Sequence, residues 1–246
     1  DGGYVNNWEF KNGEIIDIVD SLIDCGVEVI ECGFISHTKG KLMDSSLYKN
    51  IGIINALLKL TKDSSNRPSF ACLINHGECD INAIPDCATG AKVITDIRLA
   101  FHKEDIDSAY NDCVLLIKKG YNVYAQPMVS LRYSDKELIA LIERFNQINI
   151  HAIYIVDSFG SMSNSDFQRL YFLFNNNVSD KIKIGYHAHN NLQLAFSNAI
   201  ILAGFSQNNE ILIDSSVYGM GRGAGNLNTE LLTSFLNKSY SRNYKI

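Results

Sequence analysis

Apolar positions recur along this chain in two alternating rhythms. Short runs rich in β-branched residues occur at 27–32, 69–74, 94–100, 122–126, 152–156, 183–187 and 211–213. Between them, apolar residues return at three- and four-residue spacing over 15–23, 47–60, 106–117, 138–145, 167–174 and 192–202. The first rhythm predicts buried strands, the second amphipathic helices. Ser134-Asp-Lys-Glu137 places a capping box ahead of the helix at 138–145. Strand then helix, repeated, is the order of a parallel sheet with helices outside it.

Seven strands are visible, and a strand upstream of Asp1 would complete eight. The pattern therefore predicts an α/β fold, a TIM (β/α)8 barrel whose first strand is truncated or lies outside this chain. A doubly wound sheet predicts fewer units and needs no further strand. No Pro- or Ser-rich linker divides the 246 residues, so 1–246 reads as one domain of a longer polypeptide. A barrel carries its chemistry at the C-terminal ends of its strands. In order, those ends offer Asp1, Glu31, Arg98, Gln126, Asp157 with Ser158, His187 with His189, and Asp214 with Ser215 and Ser216. Strand ends approach solvent and are polar for that reason alone, which accounts for any one of these better than for the set.

Composition narrows the classes. The chain is 46% apolar and 20% charged with three prolines, an ordinary globular balance. No run of ~18 apolar residues could span a membrane, and the first residues lack the basic start and apolar stretch of a signal peptide. Six cysteines, at 25, 32, 72, 79, 87 and 113, show no C-x-x-C spacing and read as reduced thiols of a cytoplasmic protein. A net charge of −5 argues against nucleic acid as partner. The expected partner is a small molecule, and a homo-oligomer is compatible with all of this.

The segment Gly185-Tyr-His187-Ala-His189-Asn-Asn191 carries the sharpest chemistry. Positions i and i+2 of a strand face the same side, roughly 6.5–7 Å apart, a gap two imidazoles can close onto one metal ion. A surface strand can also carry His-x-His by chance. A carboxylate beside them would add a hard oxygen and leave open coordination positions, a set that suits Mn²⁺, Mg²⁺, Fe²⁺ or Zn²⁺. Asp1 is the candidate, although Asp-Gly-Gly is also a common turn; Asp157 and Asp214 compete for the role.

The second segment runs from Asp214 through glycines at 219, 221, 223 and 225 to Asn226. It superficially matches a dinucleotide fingerprint but leaves no room for the following βαβ unit. A Gly-rich loop after the last strand instead shapes the barrel mouth, with Arg222 as a substrate contact. Asn226 either caps the last helix or turns inward to the metal. Tyr4 either presents its phenol to the mouth or covers the barrel. His37 and His102 are candidate substrate contacts, while His76 and His151 read as structural.

Together these segments resemble the HMGL-like metal-dependent lyases, the DRE-TIM metallolyase superfamily. It includes 4-hydroxy-2-oxovalerate aldolase, hydroxymethylglutaryl-CoA lyase and the isopropylmalate and homocitrate synthases. The resemblance rests on Asp1-Gly2-Gly3, on His187-Ala-His189-Asn190, and on Gly219 to Glu230, which lie in the family's order across almost the whole chain. Asp-Gly-Gly-Tyr-x-Asn-Asn-Trp and Gly-Met-Gly-Arg-Gly bring it nearest to the hydroxy-oxoacid aldolases. The resemblance implies Asp1, His187 and His189 as metal ligands with Asn226 as a fourth, Mn²⁺ or Mg²⁺ as the metal, and Zn²⁺ or Fe²⁺ as further candidates. It implies Glu31, Gln126, Asp157, Ser158 and Arg222 around the substrate, with Tyr4, His37 and Arg98 catalytic.

The implied reaction makes or breaks a carbon–carbon bond next to a 2-oxo acid. Two departures stand out. The family's arginine before the metal-binding aspartate lies outside this chain. The aldolases also place a histidine base where this sequence has Tyr4, whose reference pKa near ~10 suits a base poorly at neutral pH. The helices by which some relatives bind a partner dehydrogenase are not read here. Rival readings are a Claisen-type synthase, a non-catalytic metal-binding barrel, and a non-haem Fe(II) oxygenase, against which the α/β pattern speaks.

Overall fold

The computed structural model describes residues 2–64, 67–87, 93–205 and 209–245. Its strands are β1 (Val29–Ile35), β2 (Leu47–Tyr48), β3 (Ser69–Asn75), β4 (Ile94–Phe101), β5 (Asn122–Pro127), β6 (Ala152–Asp157), β7 (Lys183–Ala188) and β8 (Ile211–Ile213). The helices are α1 (Asn12–Cys25), α2 (Ile51–Leu58), α3 (Ile106–Lys118), α4 (Asp135–Phe145), α5 (Asn164–Asn177), α6 (Ala195–Gly204) and α7 (Thr229–Tyr240). The strands form one parallel sheet in the order β2-β1-β3-β4-β5-β6-β7-β8.

All seven expected strands form, and Ser134 caps α4 in the expected box with Glu137. Two boundaries differ. The stretch read as one helix over 47–60 opens with β2, because extended Leu47 and Tyr48 pair with Phe34 and Ile35. Asn50 then starts α2, its side-chain oxygen accepting from Ile53 N at 3.3 Å. The helix expected from 192 begins at Ala195, because Gln193 turns to φ 59° and Asn190 Oδ1 accepts from Ala195 N.

Strand parity sorts the two faces of the sheet. Ile97, Leu99 and Phe101 of β4, and Ile153 and Ile155 of β6, join the main core under the helices. Each such side chain contributes about 1.5–3 kcal/mol when fully buried. The opposite parity, Asp96 and Arg98 of β4 with Tyr154 of β6, faces inward. Tyr124, Ala152, Tyr154 and Val156 pack there as a separate cluster. At Gly185 an added Cβ would sit 2.3 Å from the Tyr154 ring, so the interior is filled with side chains.

Arg98 of β4 reaches both Glu31 of β1 and Asp214 just past β8. Only a sheet that curls around brings those strands together, which is the barrel the pattern predicts. Among the described residues β8 and β1 are not paired. A cavity of about 950 Å³ follows that seam from His187, Asp214 and Asn226 to His151 and Lys183. No described helix is long and apolar enough to cross a membrane, and all six cysteines are free thiols.

Candidate functional site

His187 is the fifth residue of β7, paired with Val156 of β6. Its parity matches Gly185, so the ring points into the barrel, where it lines the cavity. His189 continues that parity one residue past the strand and is 8% exposed. The two rings lie 5.5 Å apart, centroid to centroid, nearly perpendicular. His189 Nδ1 sits 3.1 Å from the Arg222 carbonyl, which can only accept, so the proton is on Nδ1 and Nε2 is the ring's Lewis base. Burial, with the neighbouring His187 and Arg222, pushes the His189 pKa down to about 4. The ring is neutral at pH 7, the state a metal ligand requires.

The Gly-rich loop closes over these histidines. Asn226 pairs with His189 in an isolated antiparallel bridge, and Asn190 N donates to Gly225 O at 2.8 Å. Gly225 (φ 86°) permits the turn, since a Cβ there would meet Gly219 O at 2.1 Å. A Cβ on Gly221 would strike the Asn226 amide at 2.4 Å, so this glycine makes room for that side chain. Asn226 Nδ2 donates to Met220 O, while its Oδ1 is buried with no hydrogen-bond partner. A buried amide oxygen without a donor costs about 1–3 kcal/mol. An orphaned oxygen beside two imidazoles is what a cation would satisfy. Asn226 is thus turned inward; Asn228 caps α7, accepting from Leu231 N.

Asp1 lies outside the described residues. Among those described, no group of three or more His, Cys, Asp or Glu is spaced to hold an ion. The donor set among the described residues is two imidazoles and one amide oxygen, which fits a divalent cation that takes N and O ligands.

Beneath the histidines lies a buried ionic network. Arg98 Nη1 donates to Glu31 Oε2 at 2.7 Å, and Nη2 donates to Asp214 Oδ2. With its amide oxygen turned to the guanidinium, Gln126 accepts from Arg98 Nε at 2.6 Å. The Tyr154 ring lies under the guanidinium at 5.1 Å, and its hydroxyl donates to Asp214 Oδ1 at 3.2 Å. Burial alone would raise the Asp214 carboxyl, but Arg98 and His187 outweigh it and hold the pKa below the ordinary carboxylate value. Glu31 and Arg98 fall within their strands rather than at the rim, because β1 and β4 run three residues past each of them or more. The sequence reading placed them one layer too high.

The remaining candidates are distributed differently. Both Asp157 carboxylate oxygens accept backbone N–H groups, from Ser161 and Met162 at 3.0 Å. Ser158 Oγ accepts from Val129 N at 2.9 Å. Both residues brace loops and do not line the cavity. His37 Nδ1 accepts from Asp80 N at 3.1 Å, which leaves the ring proton on Nε2. Tyr4 stands at the mouth, its ring 4.8 Å from Trp8. Burial raises its phenol pKa, with Glu78 and Glu31 adding to the rise and Arg222 opposing it. His102 lines a separate hollow with Lys103, Met128 and Arg132. His76 ties β3 to α3 through Asp112 at 2.8 Å, and His151 packs on Tyr124 at the far end of the cavity.

Sequence reasoning missed Tyr154, and it missed Asn191, whose Oδ1 accepts from Ala224 N and anchors the Gly-rich loop. Inward parity with Ala152 and Val156 was the available signal for Tyr154; Asn191 had none beyond adjacency to His-x-His.

The chain matches the HMGL-like family over residues 1–243. A 4-hydroxy-2-oxovalerate aldolase of Geobacillus genomosp. 3 is 28% identical over 243 residues, covering 97% of this chain and 68% of the relative. One from Chloroflexus aurantiacus is 28% identical over 242 residues, covering 97% and 67%. Among solved structures, the N-terminal domain of a Bacteroides vulgatus protein superposes with a TM-score of 0.78 at 25% identity, covering all of this chain and 79% of that one. Hydroxymethylglutaryl-CoA lyase from Pseudomonas aeruginosa gives 0.74 at 15% identity over 97% and 82%, a likeness of fold.

Proposed function

Since the chain belongs to the HMGL-like family, we propose that it is a divalent-metal-dependent aldolase acting on a 4-hydroxy-2-oxo acid. It breaks or forms the carbon–carbon bond next to the 2-oxo acid unit. The observation that carries this reading is the pair of imidazoles, His187 and His189, 5.5 Å apart, with His189 bridged to Asn226, whose amide oxygen is buried without a donor. Relatives named 4-hydroxy-2-oxovalerate aldolase over 97% of the chain support the substrate class.

His187, His189 and Asn226 are assigned as ligands, with Asp1 as the carboxylate and Mn²⁺ or Mg²⁺ as the ion. When bound, the ion supplies Lewis-acid polarisation of the 2-oxo group. In the cleavage direction the C3–C4 bond breaks and the C4 hydroxyl loses its proton as the aldehyde forms, while the pyruvate unit keeps the electron pair and takes up a proton at C3, so one proton is released and one gained. Tyr4, whose phenol keeps its proton at neutral pH, donates to a substrate oxygen at the mouth. The His37 proton arrangement also makes that ring a donor. The hydroxyl proton therefore passes to solvent in the cavity rather than to either ring. Buried Arg98 has its guanidinium engaged by Glu31, Asp214 and Gln126, and so fixes the polar network that supports His187.

The test is pyruvate release from 4-hydroxy-2-oxovalerate by the full-length protein with Mn²⁺ or Mg²⁺. Release that stops on chelation and returns with metal is expected. Failure to release pyruvate with any of Mn²⁺, Mg²⁺, Zn²⁺ or Fe²⁺ would overturn the proposal.

A further inference from the structure

Asp214 is a carboxylate in hydrogen-bond contact with a proposed ligand, His187, and on its side chain alone it could serve either as a ligand itself or as a support. Its partners decide between these. Oδ2 accepts from Arg98 Nη2 and lies 3.0 Å from His187 Nδ1, and Oδ1 accepts from the Tyr154 hydroxyl. Three of the roughly four acceptor positions of a carboxylate are thus taken by protein donors. A metal ion on Asp214 would compete for the carboxylate with a buried guanidinium that has Glu31 and Gln126 as its other partners.

We propose that Asp214 is a positioning residue that fixes the proton of His187 on Nδ1 and so aims the Nε2 lone pair at the metal position. The inference rests on the aldolase reading only in taking His187 to be a ligand. A carboxylate has no proton to give at neutral pH, so the ring nitrogen facing it must be the N–H. Imidazole ligands of metal sites are commonly oriented in this way by a carboxylate or carbonyl on the other nitrogen. His189 has the carbonyl version, through Arg222 O. The Asp214 version adds reach. Through Arg98 it ties the His187 ring to Glu31 on β1, across the seam where β8 and β1 are unpaired among the described residues. The ring's orientation is therefore set from both sides of the seam.

The experiment is a nitrogen-15 measurement of the His187 ring in metal-free protein, together with calorimetric Mn²⁺ binding, on wild type, Asp214→Asn and Asp214→Glu. Wild-type His187 is expected to carry its proton on Nδ1. An asparagine can turn its NH₂ to the ring, so D214N is expected to move the proton toward Nε2 and weaken Mn²⁺ binding by about 10–100-fold. D214E is expected to recover part of both.

A wild-type ring protonated on Nε2 overturns the proposal even if no variant folds. So does a folded D214N whose tautomer and Mn²⁺ affinity match wild type. Neither readout involves substrate, so an inactive enzyme that still shows the Nδ1 proton and its loss in D214N would refute the aldolase reading and leave this one standing.

Discussion

Asn226 and His189 face each other across an isolated antiparallel bridge, and the Asn226 amide oxygen is buried there without a donor. A cation held there would satisfy that oxygen. Asn226→Ala is therefore expected to weaken Mn²⁺ binding about tenfold, equivalent to ~1.4 kcal/mol. The metal-free variant should be no less stable than wild type beyond the lost Nδ2 bond to Met220 O. Calorimetry and denaturant unfolding read the two effects separately. Unchanged metal affinity in N226A would remove Asn226 from the ligand set.

The depressed pKa of His189 has a stability consequence. The unfolded ring binds a proton below about 6.5, whereas the folded ring does so only near 4. Between those values the unfolded state holds the extra proton, so stability is lost as pH falls from about 6.5 toward 4 and is fully present above. The contribution is on the order of 2–3 kcal/mol. Unfolding of metal-free wild type and His189→Asn across pH 4–8 checks it: the wild-type slope in this window should shrink in the variant. An equal slope in both proteins would show that His189 is not the group responsible.

Tyr4 separates two chemistries. A phenol with a raised pKa donates hydrogen bonds but does not accept a proton at neutral pH. Tyr4→Phe should then lower kcat about tenfold or less, with the pH–rate profile keeping its shape. Loss of a general base costs about 10²–10⁴-fold. A loss of that size, with the basic limb of the profile abolished, would make Tyr4 the base after all.

Gly160 tests how the histidines are held. It adopts φ 57°, and a Cβ there would lie 2.4 Å from Asn191 N and 2.7 Å from the His189 carbonyl carbon. Gly160→Ala should cost about 2–4 kcal/mol of stability. Because the clash falls on the His189–Asn191 backbone, metal affinity should fall as well. A stable variant with normal affinity would mean that the turn after β6 can shift without disturbing β7.

Much of this architecture is legible in the sequence because it rests on short-range rules. Strand parity placed His187 and His189 on one face, and β-branched runs located all seven expected strands. The 47–60 segment misled because Leu47 and Tyr48 satisfy helical spacing and strand propensity equally, and pairing with Phe34 and Ile35 decides the matter. The fate of the polar strand ends was less legible. Nothing local distinguishes Asp157, spent on the amides of Ser161 and Met162, from Asp214, spent on Arg98 and His187. Asp157 ends β6, Asp214 directly follows β8, and both precede serine. Only the curl of the sheet, which brings β4 against β8, assigns the second to the site.

Exchange of the pyruvate methyl protons with deuterium probes the metal-dependent chemistry at its first step. It isolates proton removal next to the 2-oxo group and needs no knowledge of the aldehyde half. Full-length protein with Mn²⁺ should exchange those protons, and chelation or His189→Ala should abolish the exchange. Exchange that persists without metal and in His189→Ala, or no exchange by the metal-loaded wild type, would contradict the account.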